Sequence, residues 1–159
     1  MVNLERLLAR LVEYDIEFVI VGDFAAFAHG ASVVTFDVEL CCRMIPKNLL
    51  RLQEALKDLN PVHRMTPQKI QLALTPASCI GLKNIYIQSD WGQLDCLGEV
   101  AGVGDYDIVF ENRIEVDLGF CRCRVLEIEP LIRAKEAMSR PKDLQAIIQL
   151  KAIQEESDL

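Results

Sequence analysis

The sequence predicts one α/β or α+β domain spanning residues 1–159, and three observations predict it. Runs with apolar residues at helical spacing alternate with short strand-type runs along the chain. No internal repeat, low-complexity tract or Pro/Gly/Ser-rich linker interrupts that alternation. A chain of 159 residues is long enough to bury one core without disulfide or metal staples.

The elements follow in order. Residues 3–14 form a helix, with Leu4, Leu7, Leu8, Leu11 and Val12 on one face and Asn3 as N-cap. Residues 17–21 are a short β-type run that ends at Gly22, and residues 24–29 a short helix stopped by Gly30. Residues 36–42 are a second strand, whose Phe36, Val38 and Leu40 pack on one side. Pro46 opens an amphipathic helix to about residue 59. The stretch 60–80 holds Pro61, Pro67 and Pro76 and reads as loop, with one short strand at 70–74. Residues 85–88 and 93–97 are strands around a tight turn at 89–92, where Trp91 serves as a lid over the core. Residues 105–111 make a helical turn. Residues 113–117 and 121–126 alternate as a hairpin turned near Gly119. A helix spans 130–138, and after a break at Ser139-Arg140-Pro141 a last helix turns Leu144, Ile147 and Ile148 inward. The acidic tail at 155–158 is expected to fray.

Composition narrows the function classes. Hydrophobic residues at 51% and charged residues at 26% exclude a disordered tail, a collagen and a coiled-coil rod. With 17 Lys+Arg against 24 Asp+Glu the net charge is −7, so bulk attraction does not hold nucleic acid. Any such contact needs a local basic cluster or a bound cation. The one basic cluster, Arg133, Lys135, Arg140 and Lys142, reads as a solvated helix face. No apolar run approaches the length of a membrane helix. The first 15 residues lack the uncharged stretch of a signal peptide, so a cytoplasmic protein without a membrane partner is expected. The six cysteines show no CxxC spacing and read as reduced, mostly buried thiols. His29 reads as a capping or packing residue.

Three segments carry chemistry. A helix that follows Gly22 offers unpaired N–H groups to phosphate, although a glycine at such a junction also serves steric needs alone. In Thr35-Phe36-Asp37-Val38-Glu39-Leu40, Asp37 and Glu39 share a strand face, about 6.6 Å apart along the backbone. Such a pair can hold a divalent cation, or simply line a polar edge. Asp95 is a lone acid in an apolar strand. Taken on its own segment it reads as solvent-facing, because a lone buried acid is costly.

In combination, VIVGDFAAFAHG, TFDVEL, GQLDCLGEV and LEIEPLIRAKEAMSRPKDLQAI resemble the minimal nucleotidyltransferase-fold proteins, which include the toxin-type nucleotidyltransferases of abortive-infection systems. The resemblance covers nearly the whole chain. It implies a mixed β-sheet flanked by helices, with Asp37, Glu39 and Asp95 as catalytic carboxylates and ligands of Mg²⁺ (or Mn²⁺). It also implies nucleotide contacts at Gly22, Asp23, Thr35 and Lys135. The implied activity is transfer of a nucleoside monophosphate from an NTP to a hydroxyl of RNA or protein. A toxin–antitoxin setting would add a cognate antitoxin or partner subunit. Two shared cations would suit such chemistry, and they would let an acidic chain hold an anionic nucleotide. Three positions depart from the pattern: Asp23 stands for Gly or Ser, Val34 for a basic residue, and Glu39 for Asp. Asp23 and Val34 weaken attraction for a triphosphate. The alternative is a catalytically degenerate relative that binds a nucleotide or a protein partner.

Overall fold

A computed structural model describes residues 2–158. Helix α1 (Leu4–Glu13) starts at the expected cap: the Asn3 side chain accepts from the Arg6 N–H at 3.1 Å. Strand β1 (Phe18–Val21) runs directly into α2 (Gly22–Ala28). Strand β2 (Asp37–Cys42) precedes α3 (Pro46–Leu56), which tightens into a 3₁₀ turn at Lys57–Leu59. Then come β3 (Val62–His63), α4 (Pro76–Cys79), β4 (Asn84–Ser89), β5 (Gly92–Leu97), β6 (Glu99–Val100) and β7 (Gly104–Asp105). The chain closes with α5 (Tyr106–Glu111), β8 (Arg113–Asp117), β9 (Arg122–Leu126), α6 (Ile128–Met138) and α7 (Pro141–Ser157).

Seven strands form one mixed sheet in the order β3-β4-β5-β2-β1-β9-β8, flanked by helices, while β6 and β7 pair separately. The β2–β5 and β1–β9 pairs are parallel, and the other pairs of the sheet are antiparallel. Parallel neighbours need covering on both faces, and the central strands meet that need. All four β1 residues, with Val38, Leu40, Cys41, Cys42, Leu94 and Cys96, are buried. Leu7, Leu8 and Leu11 of α1 and Leu49, Leu52 and Leu56 of α3 join the same core. Among the described residues no helix is long and apolar enough to cross a membrane.

Several expectations change. Helix α2 starts at Gly22 rather than residue 24. The 70–74 stretch is no strand: only Gln71 bridges to Val62, and the sheet edge is built by Val62 and His63 against Gln88 and Ile87. Thr75 and Ser78 exchange side-chain-to-backbone bonds that close a capping box, so Pro76 opens the short α4 inside the expected loop. Phe36 lies outside β2 and is 73% exposed. The inner stripe of α7 is Asp143, Ala146, Ile147 and Leu150, while Leu144 and Ile148 face outward. The Arg140 and Lys135 cations compensate Asp143, so an acid heads the i, i+3, i+4, i+7 stripe. That helix continues through Ser157, with its acidic end exposed as expected.

Trp91 does sit over α1, with the Arg6 and Arg10 guanidinium carbons 4.3 and 4.4 Å from its ring centroid. His29 follows α2, with Nε2 2.8 Å from the Leu126 carbonyl oxygen.

Candidate active site

Register places the acids. In the parallel β2–β5 ladder Glu39 stands opposite Asp95 and Asp37 opposite Gln93. The side-chain period of two therefore puts Asp37, Glu39 and Asp95 on one sheet face. Val21 pairs with Glu39 on the other flank, which brings the β1–α2 junction beside the same acid. Gly22 there has φ +68°, and a Cβ on it would lie 2.6 Å from Glu39 Oε2. The glycine thus gives the chain a left-handed turn and leaves room for the Glu39 carboxylate.

Gly22, Glu39, Asp95 and Lys135 line a cavity of about 300 Å³, walled on its far side by α6 and by Arg140 and Asp143 at the start of α7. Asp23, Thr35 and Asp37 are not part of that wall. Thr35 holds Asp37 instead: its Oγ1 donates to the Asp37 carbonyl at 2.8 Å and lies 3.4 Å from Oδ1. Val34 is 81% exposed, an apolar side chain where the resemblance implies a basic residue.

The charges are answered within the protein. Lys135, expected on a solvated face, is buried; its Nζ lies 2.7 Å from Asp23 Oδ1 and 3.7 Å from Asp143 Oδ1. Lys142 reaches the other Asp23 oxygen at 3.4 Å. Burial pushes the Asp23 carboxyl up, and Lys135 with Lys142 outweighs it, so Asp23 titrates below its ordinary value. Glu39 goes the other way. Burial raises it first, then the negative charges of Asp37, Asp23 and Asp95, with only Arg140 opposing. Asp95 is buried rather than solvent-facing, because Arg64 Nη2 donates to both its oxygens, 2.5 Å from Oδ1. Burial still leaves the Asp95 carboxyl raised, against the pull of Arg64.

Arg64, Arg140 and Asp143 are the site residues that sequence reasoning missed. The Arg-Pro-Lys-Asp run carried a signal for the last two. Arg140 N–H and Nε–H both donate to Asp143 Oδ2, which caps α7 and neutralises a fully buried acid. Arg64 had no local signal, since it meets Asp95 only through the β3–β4–β5 pairing. Among the described residues no group of three or more His, Cys, Asp or Glu side chains is drawn together around one metal position. Compared with protein-family models and with curated proteins, the chain has no match.

Proposed function

We propose that the chain is a nucleotidyltransferase-fold protein that moves a nucleoside monophosphate from an NTP to a hydroxyl of RNA or protein. One observation carries this reading: Glu39 faces Asp95 across a parallel ladder, with Asp37 on the same face, beside the left-handed Gly22 turn and a cavity. Carboxylate oxygens are the donor type Mg²⁺ or Mn²⁺ prefers, but the three acids are not drawn together around one metal position among the described residues, and Arg64 holds Asp95. The crowding that raises Glu39 is also what a cation relieves. Asp37 and Glu39 would hold the cation, with Asp95 as a third ligand. When bound, the cation supplies neutralisation of phosphoryl charge and activation of the attacking hydroxyl. The chain's own parts do the positioning. Gly22 leaves space for Glu39, Thr35 fixes Asp37, and Lys135 and Arg140 bring positive charge to the cavity wall.

The test is incubation with each NTP, labelled at the α- or the γ-phosphate, with Mg²⁺ or Mn²⁺ and total RNA or lysate. α-Label should reach an RNA or protein product, and γ-label should not. Transfer of γ-label instead would mean a kinase, and no transfer of either would reject the activity.

A second reading rests on Asp23. Its carboxylate engages Lys135 and Lys142, the cations that would otherwise answer phosphate. That arrangement suits a degenerate relative that binds a nucleotide or a protein partner without transferring anything. NTP binding without label transfer would select it.

A further inference from the structure

We propose that the free edge of β8 pairs antiparallel with the same edge of a second copy of this chain, joining two sheets into one across a two-fold axis at Glu115. Strands β9 and β1 separate β8 from β2, so the acids of the candidate site lie outside this interface. The inference stands whether or not the chain transfers nucleotides.

The edge is open. Leu118 N–H donates to the Cys121 carbonyl and Glu127 N–H to the Asn112 carbonyl, both at 2.9 Å. Backbone bonding alternates along an antiparallel pair, so in the β8–β9 register Ile114 and Val116 also bond toward β9. The N–H and C=O groups of Arg113, Glu115 and Asp117 therefore point away from the sheet. Among the described residues none of these backbone groups has a hydrogen bond. Sheet edges are ordinarily blunted by shortness, Pro, a bulge or a covering segment. The opposite edge is closed in this way: β3 has two residues, and Ile70, Gln71 and Leu72 bond along its outer side. Strand β8 has five residues, no Pro and an unbroken register.

The open edge is complementary to itself. Around Glu115, Arg-Ile-Glu-Val-Asp places Arg113 opposite Asp117 of the second copy and Ile114 opposite its Val116. Opposite charges and apolar side chains are the favourable cross-strand pairs. Among the described residues neither Arg113 nor Asp117 has an ion-pair partner in its own chain, although each is held in place. The Phe110 carbonyl accepts from Arg113 Nη1 at 2.9 Å, and Asp117 Oδ1 accepts from the Gly119 N–H at 2.9 Å. Ile114, 38% exposed, gains an apolar neighbour. Glu115 meets its own copy at the axis, but each copy brings Arg124 as its cross-strand neighbour and Arg122 Nε at 3.6 Å. Sliding the copy by two residues either way sets Asp117 against Glu115 or Glu111, so repulsion rejects those registers.

Sedimentation of the full chain over a wide concentration range tests the pairing. The native chain should convert reversibly from monomer to dimer as concentration rises. Glu115→Pro removes only an outward N–H and keeps every β8–β9 bond, since Pro is tolerated on an edge; it should remain monomeric. Asp117→Arg, which leaves the backbone unchanged should proline disturb the hairpin, should weaken the dimer about tenfold or more, because both attractive pairs become repulsive. Thermal unfolding confirms that each variant is folded. Register is read by mild oxidation. Glu115→Cys should give a disulfide-linked dimer, since directly opposed residues of a bonded pair lie about 5.5 Å apart at Cα. Asp117→Cys and the native chain should not. A native chain that stays monomeric at every concentration overturns the proposal. So does a dimer that survives both Glu115→Pro and Asp117→Arg, or cross-linking of Asp117→Cys equal to that of Glu115→Cys.

Discussion

The ammonium of Lys135 stands 2.7 Å from the carboxylate of Asp23, tying α6 to the start of α2. Both groups are largely shielded from water, and the pair is extended by Asp143 and Lys142. Asp23→Asn should therefore lower stability by about 1.5–3 kcal/mol at neutral pH, the scale of a hydrogen bond to a charged group. The folded-state Asp23 carboxyl is held below its ordinary value. Its contribution is thus full above the unfolded value of about 3.9 and is lost as pH falls through the lower folded value. Urea unfolding at neutral and at strongly acidic pH checks this, with the difference between native and variant closing in acid.

The same substitution frees two lysines. NTP binding to Asp23→Asn should tighten, because Lys135 and Lys142 no longer answer an internal acid and the repulsion of phosphate is gone. Weaker Mg²⁺-dependent binding in the variant would instead make Asp23 part of a cation site.

Glu39→Gln should stabilise the metal-free protein. Burial and the neighbouring acids raise the folded-state value of Glu39. The folded chain therefore holds this proton more tightly than the unfolded chain. Stability falls as pH rises from the unfolded value of about 4.3 through the raised folded value. The gain from Glu39→Gln is accordingly present at neutral pH and absent below the unfolded value. Thermal unfolding across that range gives the comparison, and a loss of stability at neutral pH would contradict the crowding described.

Gly22→Ala places a methyl group against Glu39 and forces alanine to φ +68°. The left-handed backbone alone costs about 1–2 kcal/mol, and the contact with Glu39 adds to it. In a Glu39→Ala background the cost should shrink toward the backbone term. A double-mutant cycle measures the difference, and strict additivity would show that the two residues do not meet.

Thiol chemistry should single out Cys121. Burial pushes Cys41 up to about 12, and the neighbouring Cys96 thiol together with burial raises Cys42. Cys79, Cys96 and Cys123 are buried as well. Cys121 is the partly exposed one, its sulfur 3.3 Å from that of Cys123. Brief iodoacetamide treatment followed by mass spectrometry should label Cys121 first in the native chain and all six cysteines after denaturation. Early labelling of Cys41 or Cys96 would contradict the burial.

The legible parts of this molecule are local ones. Asn3, the leucine stripe of α1, Pro46 and the turn at Gly119 announce their elements within a few residues. Asp37 and Glu39 share a face by strand period alone. What depends on pairing between distant segments is not legible. Asp95 looks solvent-facing until β3 delivers Arg64 to it, and Lys135 looks solvated until α2 and α7 close on it. The α7 face is misread for a related reason. Hydrophobicity favours Leu144 and Ile148, but Arg140 and Lys135 make Asp143 the buried member. The 70–74 stretch stops at a single bridge: Ile70 and Leu72 bond to His63 and Pro61 around the Gln71–Val62 pair, and the Gln53 side chain then takes the backbone of Leu74.

The role proposed for Asp37, Glu39 and Asp95 is that of a cation-dependent nucleotide site. Isothermal titration of each NTP into the native chain and into Asp37→Ala, with and without Mg²⁺, tests it most directly. Binding to the native chain should require Mg²⁺ and disappear in Asp37→Ala, while thermal unfolding of that variant stays cooperative. Binding that ignores Mg²⁺ or survives Asp37→Ala, or no binding of any NTP to the native chain, would contradict it.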